Sequence, residues 1–168
     1  MSSPTVERAL AQLTTLLERV TPEDRERPTP CSDWTVADLS DHVVNSVRGM
    51  ATMARGGQPD FADTTHHDDP AGALQAEGQA LIDALGSNSG AFPDGMAAAE
   101  LAVHTYDLAT SLGRSTADLD PEIAETGLAF MSASMTDDNR GDAFGPEQPA
   151  PDDATAYQRI AAFAGRSV

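Results

Sequence analysis

At 168 residues, with 40% hydrophobic and 5% aromatic content, the chain can bury a sizeable core, which must rest on Leu, Val, Ala and Met; that favours packed helices over a sheet. Ten arginines and no lysine stand against 27 acidic residues, and the formal charge of −17 repels phosphate backbones and anionic lipid, so neither nucleic acid nor a membrane surface is an expected partner. Cys31 is the only cysteine, which excludes an internal disulfide and a cysteine-based metal knot.

Glu7, Arg8, Glu18 and Arg19 interrupt the first twenty residues, so no secretory leader is expected. No apolar run approaches the roughly 18 residues of a membrane span, and the expected location is the cytoplasm. Val6, Leu10, Leu13, Leu17 and Val20 recur at helical spacing and predict a first helix over 4–20. Pro22, Pro28 and Pro30 stop it, leaving TPEDRERPTPCSDW as a crossing loop. Thr35 and Asp38 form a capping-box pair that starts a second helix over about 36–55, with Val36, Leu39, Val43, Val47, Met50 and Ala54 on its apolar side. GGQPDFADTTHHDDP is a loop and the least ordered stretch by composition. A third helix over about 70–85 carries Leu74, Leu81, Ile82 and Leu85, and GSNSG breaks the chain after it. A fourth spans about 94–112 and stops at Gly113. A shorter helix follows Asp120-Pro121 to about 135; then comes the Pro-rich, extended FGPEQPAPDDA and a last short helix of about ten residues with Tyr157, Ile160 and Phe163. Four long helices predict an all-α bundle, and residues 1–168 are expected to form one domain.

The fourth helix holds the chemistry. With Glu100 at zero on a wheel of about 100° per residue, His104 falls near 40°, Asp107 near 340° and Ser111 near 20°. Leu101, Leu108 and Leu112 flank this narrow stripe on one side, and Met96, Val103 and Thr110 on the other. A solvated face would be broad and rich in long polar side chains, so the stripe is expected to point inward. Buried acids are costly unless paired, protonated or bound to metal, and two acids with one histidine compensate each other poorly. A divalent cation resolves that conflict, because Glu100 and His104 are one turn apart and can reach one ion. On the second helix His42 sits beside Ser46 and Met53 at the edge of the apolar arc, away from Asp41 and Arg48. It completes a His₂Glu set of the kind that serves catalytic zinc or Fe(II). Asp107 is then a fourth ligand or a group that orients His104 or a water. A hydrogen-bonded polar network without metal is the alternative.

TPCSDWTVADLSDHVV, AAELAVHTYDLATSLG and FGPEQPAPDDATAYQRIAAFAGR resemble, in order, signature stretches of bundle proteins related to the N-terminal domain of mycothiol-dependent maleylpyruvate isomerase, within the broader DinB/YfiT-like group of thiol-dependent transferases. The resemblance implies a DinB-like four-helix bundle with an extra short helix. It also implies a divalent ion on His42, Glu100 and His104, with zinc the expected metal and nickel or iron as alternatives. The implied cosubstrate is mycothiol or a similar low-molecular-weight thiol, and the implied partners are that thiol and a small electrophile. The isomerases carry a further C-terminal domain, whereas this chain ends at Val168, so the resemblance carries the metal site over and leaves the isomerase reaction open.

Three other features carry blander expectations. His66-His67-Asp68-Asp69 has ligand residue types, but in an acidic, solvated loop. Cys31 has no neighbouring base or cation in sequence, so packing is its expected role. Trp34 packs the start of the second helix or lies near a pocket mouth. The expected function is thus a metal-dependent thiol transferase or isomerase, with a non-catalytic metal-binding or partner-binding helical module as the alternative. The oligomeric state stays open, a homodimer included.

Overall fold

Prolines open three of the helices, because their fixed φ and missing N–H suit a first turn. The structure, a computed structural model, describes residues 3–31, 33–87, 92–140 and 144–168; Asn88, Ser89 and Gly90 of GSNSG lie outside the described residues. Its helices are α1 (Pro4–Leu17), α2 (Val36–Ala54), α3 (Pro70–Ser87), α4 (Asp94–Ser111), α5 (Pro121–Ser134) and α6 (Ala156–Phe163), with 3₁₀ turns at Pro22–Asp24 and Asp137–Asn139. The described residues form no strand, only an isolated bridge between Pro28 and Thr35. The fold is all-α, and no described helix is long and apolar enough to cross a membrane.

Each α1–α4 helix contributes an apolar stripe to one interior: α1 touches α3 and α4, while α2 touches the same two, which closes a four-helix ring. Helices α5 and α6 lie outside the ring against α4. This makes α4 the most enclosed element, buried nearly all round from Ala97 to Ala109. Thr110, expected to wall the polar stripe, is exposed instead, because it lies beyond the part of α4 that its neighbours cover. Val6, Leu13, Val36, Val47, Leu74 and Leu81 are fully buried in the ring, and Ile160 of α6 is fully buried beside α5.

The α4–α5 crossing is close because Gly127 lies against α4 backbone. A Cβ on Gly127 would come 2.7 Å from Ala99 Cα and 2.9 Å from Ala99 N, atoms that cannot swing aside. Alanine there returns roughly 1 kcal/mol of helix propensity, against an overpacking cost of about 1–3 kcal/mol. Gly127→Ala is therefore expected to destabilise the fold by up to about 2 kcal/mol in urea denaturation; a raised midpoint would show that α5 can shift freely.

One expectation about helix length needs correction. The first helix ends at Leu17 rather than near residue 20, and Arg19 N and Val20 N bond back to Leu16 O and Leu17 O in a tightened last turn. The loop after α2 is exposed over most of its length, as expected, but it is tied to the helix. Asp41 Oδ1 accepts from His67 N at 2.9 Å, Asp41 Oδ2 pairs with His66 Nδ1 at 2.8 Å, and Asn45 Nδ2 donates to Thr65 O at 2.9 Å. Arg48 bridges Asp63 and Glu77 beside it. The outer face of α2 supplies the partners that this loop's polar groups need, so the loop lies along the helix.

Candidate metal centre

The capping box at the start of α2 is complete: Thr35 N and Oγ1 donate to Asp38 Oδ2 at 2.9 and 2.7 Å, and Asp38 N donates to Thr35 Oγ1 at 3.3 Å. It fixes where the helix begins and thus the face on which His42 and Ser46, one turn apart, appear. Across from them Glu100 Oε1 accepts a hydrogen bond from Ser46 Oγ at 2.7 Å. The same oxygen lies 3.2 Å from His42 Nε2 and 3.3 Å from His104 Nε2. One ring nitrogen from each histidine and one Glu100 oxygen thus lie within 4.8 Å of one another.

Trp34 stacks at a tilt on His42, with ring centroids 4.4 Å apart, and lies 6.3 Å from His104, forming a wall of the site. Both sequence expectations for Trp34 describe this contact, since the ring sits at the start of α2 and lines the candidate site. The cluster is enclosed on one side and open on the other: the His104 side chain is 8% exposed, whereas His42 and Glu100 keep 25% and 23% of theirs.

Asp107 lies behind His104, on the ring nitrogen opposite Glu100, with Oδ2 3.1 Å from Nδ1. Its carboxylate is fully buried and is held from the other side by Arg166, through Nε to Oδ1 at 3.2 Å and Nη2 to Oδ2 at 3.0 Å. Arg166 follows Gly165, whose φ of 94° is left-handed and lets the chain turn back after α6. Arg166 N bonds to Ala161 O and Gly165 N to Ala162 O, closing that turn.

The charges are strongly coupled. Burial pushes the Glu100 carboxyl up, but His104 and His42 beside it outweigh burial and hold it well below the usual range. Burial pushes the His104 imidazole down, and the Glu100 and Asp107 carboxylates reverse this and raise it to about 9. Asp107 is raised by burial and lowered further by His104 and Arg166, ending below its ordinary value.

Sequence reasoning finds His42, Glu100, His104 and Asp107 but misses three neighbours. Ser46 is visible only as the residue one turn after His42. Arg166 has a faint signal in the AGR that closes the third signature stretch, since a glycine past a helix end often precedes a chain reversal. Cys31 is not without a cation: Arg166 Nη2 stands 3.6 Å from its sulfur, a contact 135 residues apart in sequence. Burial still pushes the Cys31 thiol up, against the pull of Arg166. The His66–Asp69 stretch does not join the centre: His66 and His67 are engaged by Asp41 and Asn45.

Two imidazole nitrogens and a carboxylate oxygen are a donor set suited to a divalent ion with an open fourth position. Ligand atoms about 2.0–2.1 Å from a tetrahedral ion stand about 3.3 Å apart, and the 3.2 and 3.3 Å spacings around Glu100 Oε1 match that edge. Two of the three spacings thus match, the two imidazole nitrogens lie within 4.8 Å of each other, and the donor types fit such an ion.

The family described as mycothiol maleylpyruvate isomerase N-terminal domain matches residues 6–163. Among similar proteins are two from Mycobacterium tuberculosis, uncharacterized protein Rv0738 of strain ATCC 25618 / H37Rv and uncharacterized protein MT0763 of strain CDC 1551 / Oshkosh. Each is 31% identical over 180 residues, covering 96% of this chain and 96% of its own length. No solved structure matches the chain significantly.

Proposed function

The chain belongs to the mycothiol maleylpyruvate isomerase N-terminal domain family, and from that premise we propose that it is a metal-dependent transferase or isomerase acting with mycothiol or a similar small thiol on an electrophile. One observation carries the reading: His42 and His104 turn ring nitrogens toward the same oxygen of Glu100. These three side chains would hold the ion, zinc first by donor type and nickel or iron(II) otherwise. When bound, such an ion supplies a centre at which a thiol is held as thiolate at neutral pH. The partial exposure of His42 and Glu100 favours this over a closed structural centre, since a cosubstrate needs an open side.

The chain's own groups set the conditions. Ser46 fixes the Glu100 carboxylate, Asp107 fixes the His104 ring, and Trp34 and the helix walls exclude water from one side. Tag-free protein purified without chelator should carry about one divalent ion per chain by elemental analysis. It should also accelerate conjugation or isomerisation of an electrophile with mycothiol. Metal without turnover leaves a non-catalytic metal-binding or partner-binding module; no metal removes the reading.

The proton on His104 has a measurable consequence. With its pKa near 9, the metal-free imidazole is charged at neutral pH and must lose that proton to ligate. Metal uptake at pH 7 should then release a proton, and affinity should rise about tenfold per pH unit up to about pH 9. The sign in the metal-free protein is opposite. A pKa raised from 6.5 to about 9 contributes stability that is complete below 6.5 and fades as pH rises through 9. Titration calorimetry in buffers of different ionisation enthalpy reads the proton directly, and a pH-independent affinity between 6 and 8 would contradict the assignment of His104.

A further inference from the structure

We propose that Arg166 is a positioning residue of this centre, locking the Asp107 carboxylate so that His104 keeps Nδ1 engaged and turns Nε2 toward His42 and Glu100. The inference rests on the metal reading above and adds to it a residue from the far end of the chain.

The geometry is that of a fork. Arg166 reaches both Asp107 oxygens, and Oδ2 is shared between Arg166 Nη2 at 3.0 Å and His104 Nδ1 at 3.1 Å. A carboxylate held at both oxygens cannot rotate, so its direction toward the imidazole is set from behind. The guanidinium is itself pinned: Nη1 donates to Ala164 O at 3.1 Å and Nη2 faces Cys31 sulfur, and only 6% of the residue is exposed. Three segments therefore meet at one side chain: α4, the loop before Trp34, and the turn after α6.

That turn is built to deliver it. Gly165 adopts the left-handed conformation, and a Cβ there would lie 2.7 Å from Gly145 Cα and 2.8 Å from Gly145 N and C. Lysine would keep the charge beside Asp107 but offer it a single point of contact. The two-point grip on Asp107, and with it the direction in which His104 is held, is lost with lysine. Loss of such an outer partner typically weakens metal binding 10–100-fold.

Arg166→Lys is the informative variant, because it keeps the charge near Asp107 and removes the fork. Folding is checked by circular dichroism, zinc affinity by competition with a chromophoric chelator, and the cobalt(II)-substituted protein by its visible absorption. The metal-free protein is followed by ¹⁵N-imidazole NMR at His104. The expected result is a folded protein that binds zinc ten- to a hundredfold more weakly, with an altered cobalt band and a His104 Nδ1 proton that exchanges faster with water. A folded variant with affinity within twofold of wild type and an unchanged band overturns the proposal. If the wild-type chain takes up no metal, the metal reading fails on its own. The Nδ1 proton then decides this one: faster exchange in Arg166→Lys sustains the positioning role, and unchanged exchange overturns it.

Discussion

Replacing His104 with alanine is expected to abolish stoichiometric divalent-metal binding while the helices remain. His104 offers a nitrogen 3.3 Å from the Glu100 oxygen, and it is the most enclosed of the three donors. Without it, His42 and Glu100 are a two-ligand pair, too few for a zinc site that keeps one open position. The fold should survive, because Asp107 retains Arg166 and Glu100 retains His42 and Ser46, so no carboxylate is stranded. Metal content by elemental analysis, with circular dichroism as the folding check, reads the result. His66→Ala is the control, since that ring pairs with Asp41 on the outer face of α2 and should leave metal content unchanged. Equal metal in wild type and His104→Ala would refute the centre.

Arg166→Met is expected to produce the largest loss of stability, about 3–5 kcal/mol. Its partner Asp107 is fully buried and Arg166 nearly so, which distinguishes this pair from the exposed bridges of Arg8 to Asp120 and Glu122. Surface pairs of that kind contribute little, with a median of about 0–1 kcal/mol. Removing one member of a buried pair leaves a charge in a place water does not reach, with only the His104 bond to support it. Adding Asp107→Asn should restore part of the loss, because a neutral amide costs less to leave half-satisfied. Urea denaturation of the metal-free proteins measures both; an Arg166→Met midpoint equal to wild type would show that the carboxylate finds water or another partner.

Local signals in the sequence were legible because their causes are local. The Thr35–Asp38 box announces α2 three residues at a time, and both partners bond as the motif requires. Pro121 after Asp120 opens α5, and the Asp120 side chain caps it through Glu122 N. The narrow stripe of Glu100, His104 and Asp107 is a property of one helix, and its inward direction follows from the apolar residues around it. Composition likewise marks the loop at His66–His67 as solvated, and His66 and Asp68 are exposed. What holds it is Asp41 and Asn45, a face of another helix that composition cannot reveal.

By itself, then, the sequence determined the helices and the polar line on the fourth of them, since hydrophobic period, caps and prolines act within a few residues. Tertiary structure decided what meets that line. Ser46 reaches Glu100 across 54 residues and Arg166 reaches Asp107 across 59, and neither distance leaves a periodic trace. Burial is the physical reason these contacts matter: taken out of water, a carboxylate must be met by whatever donors the packing brings to it.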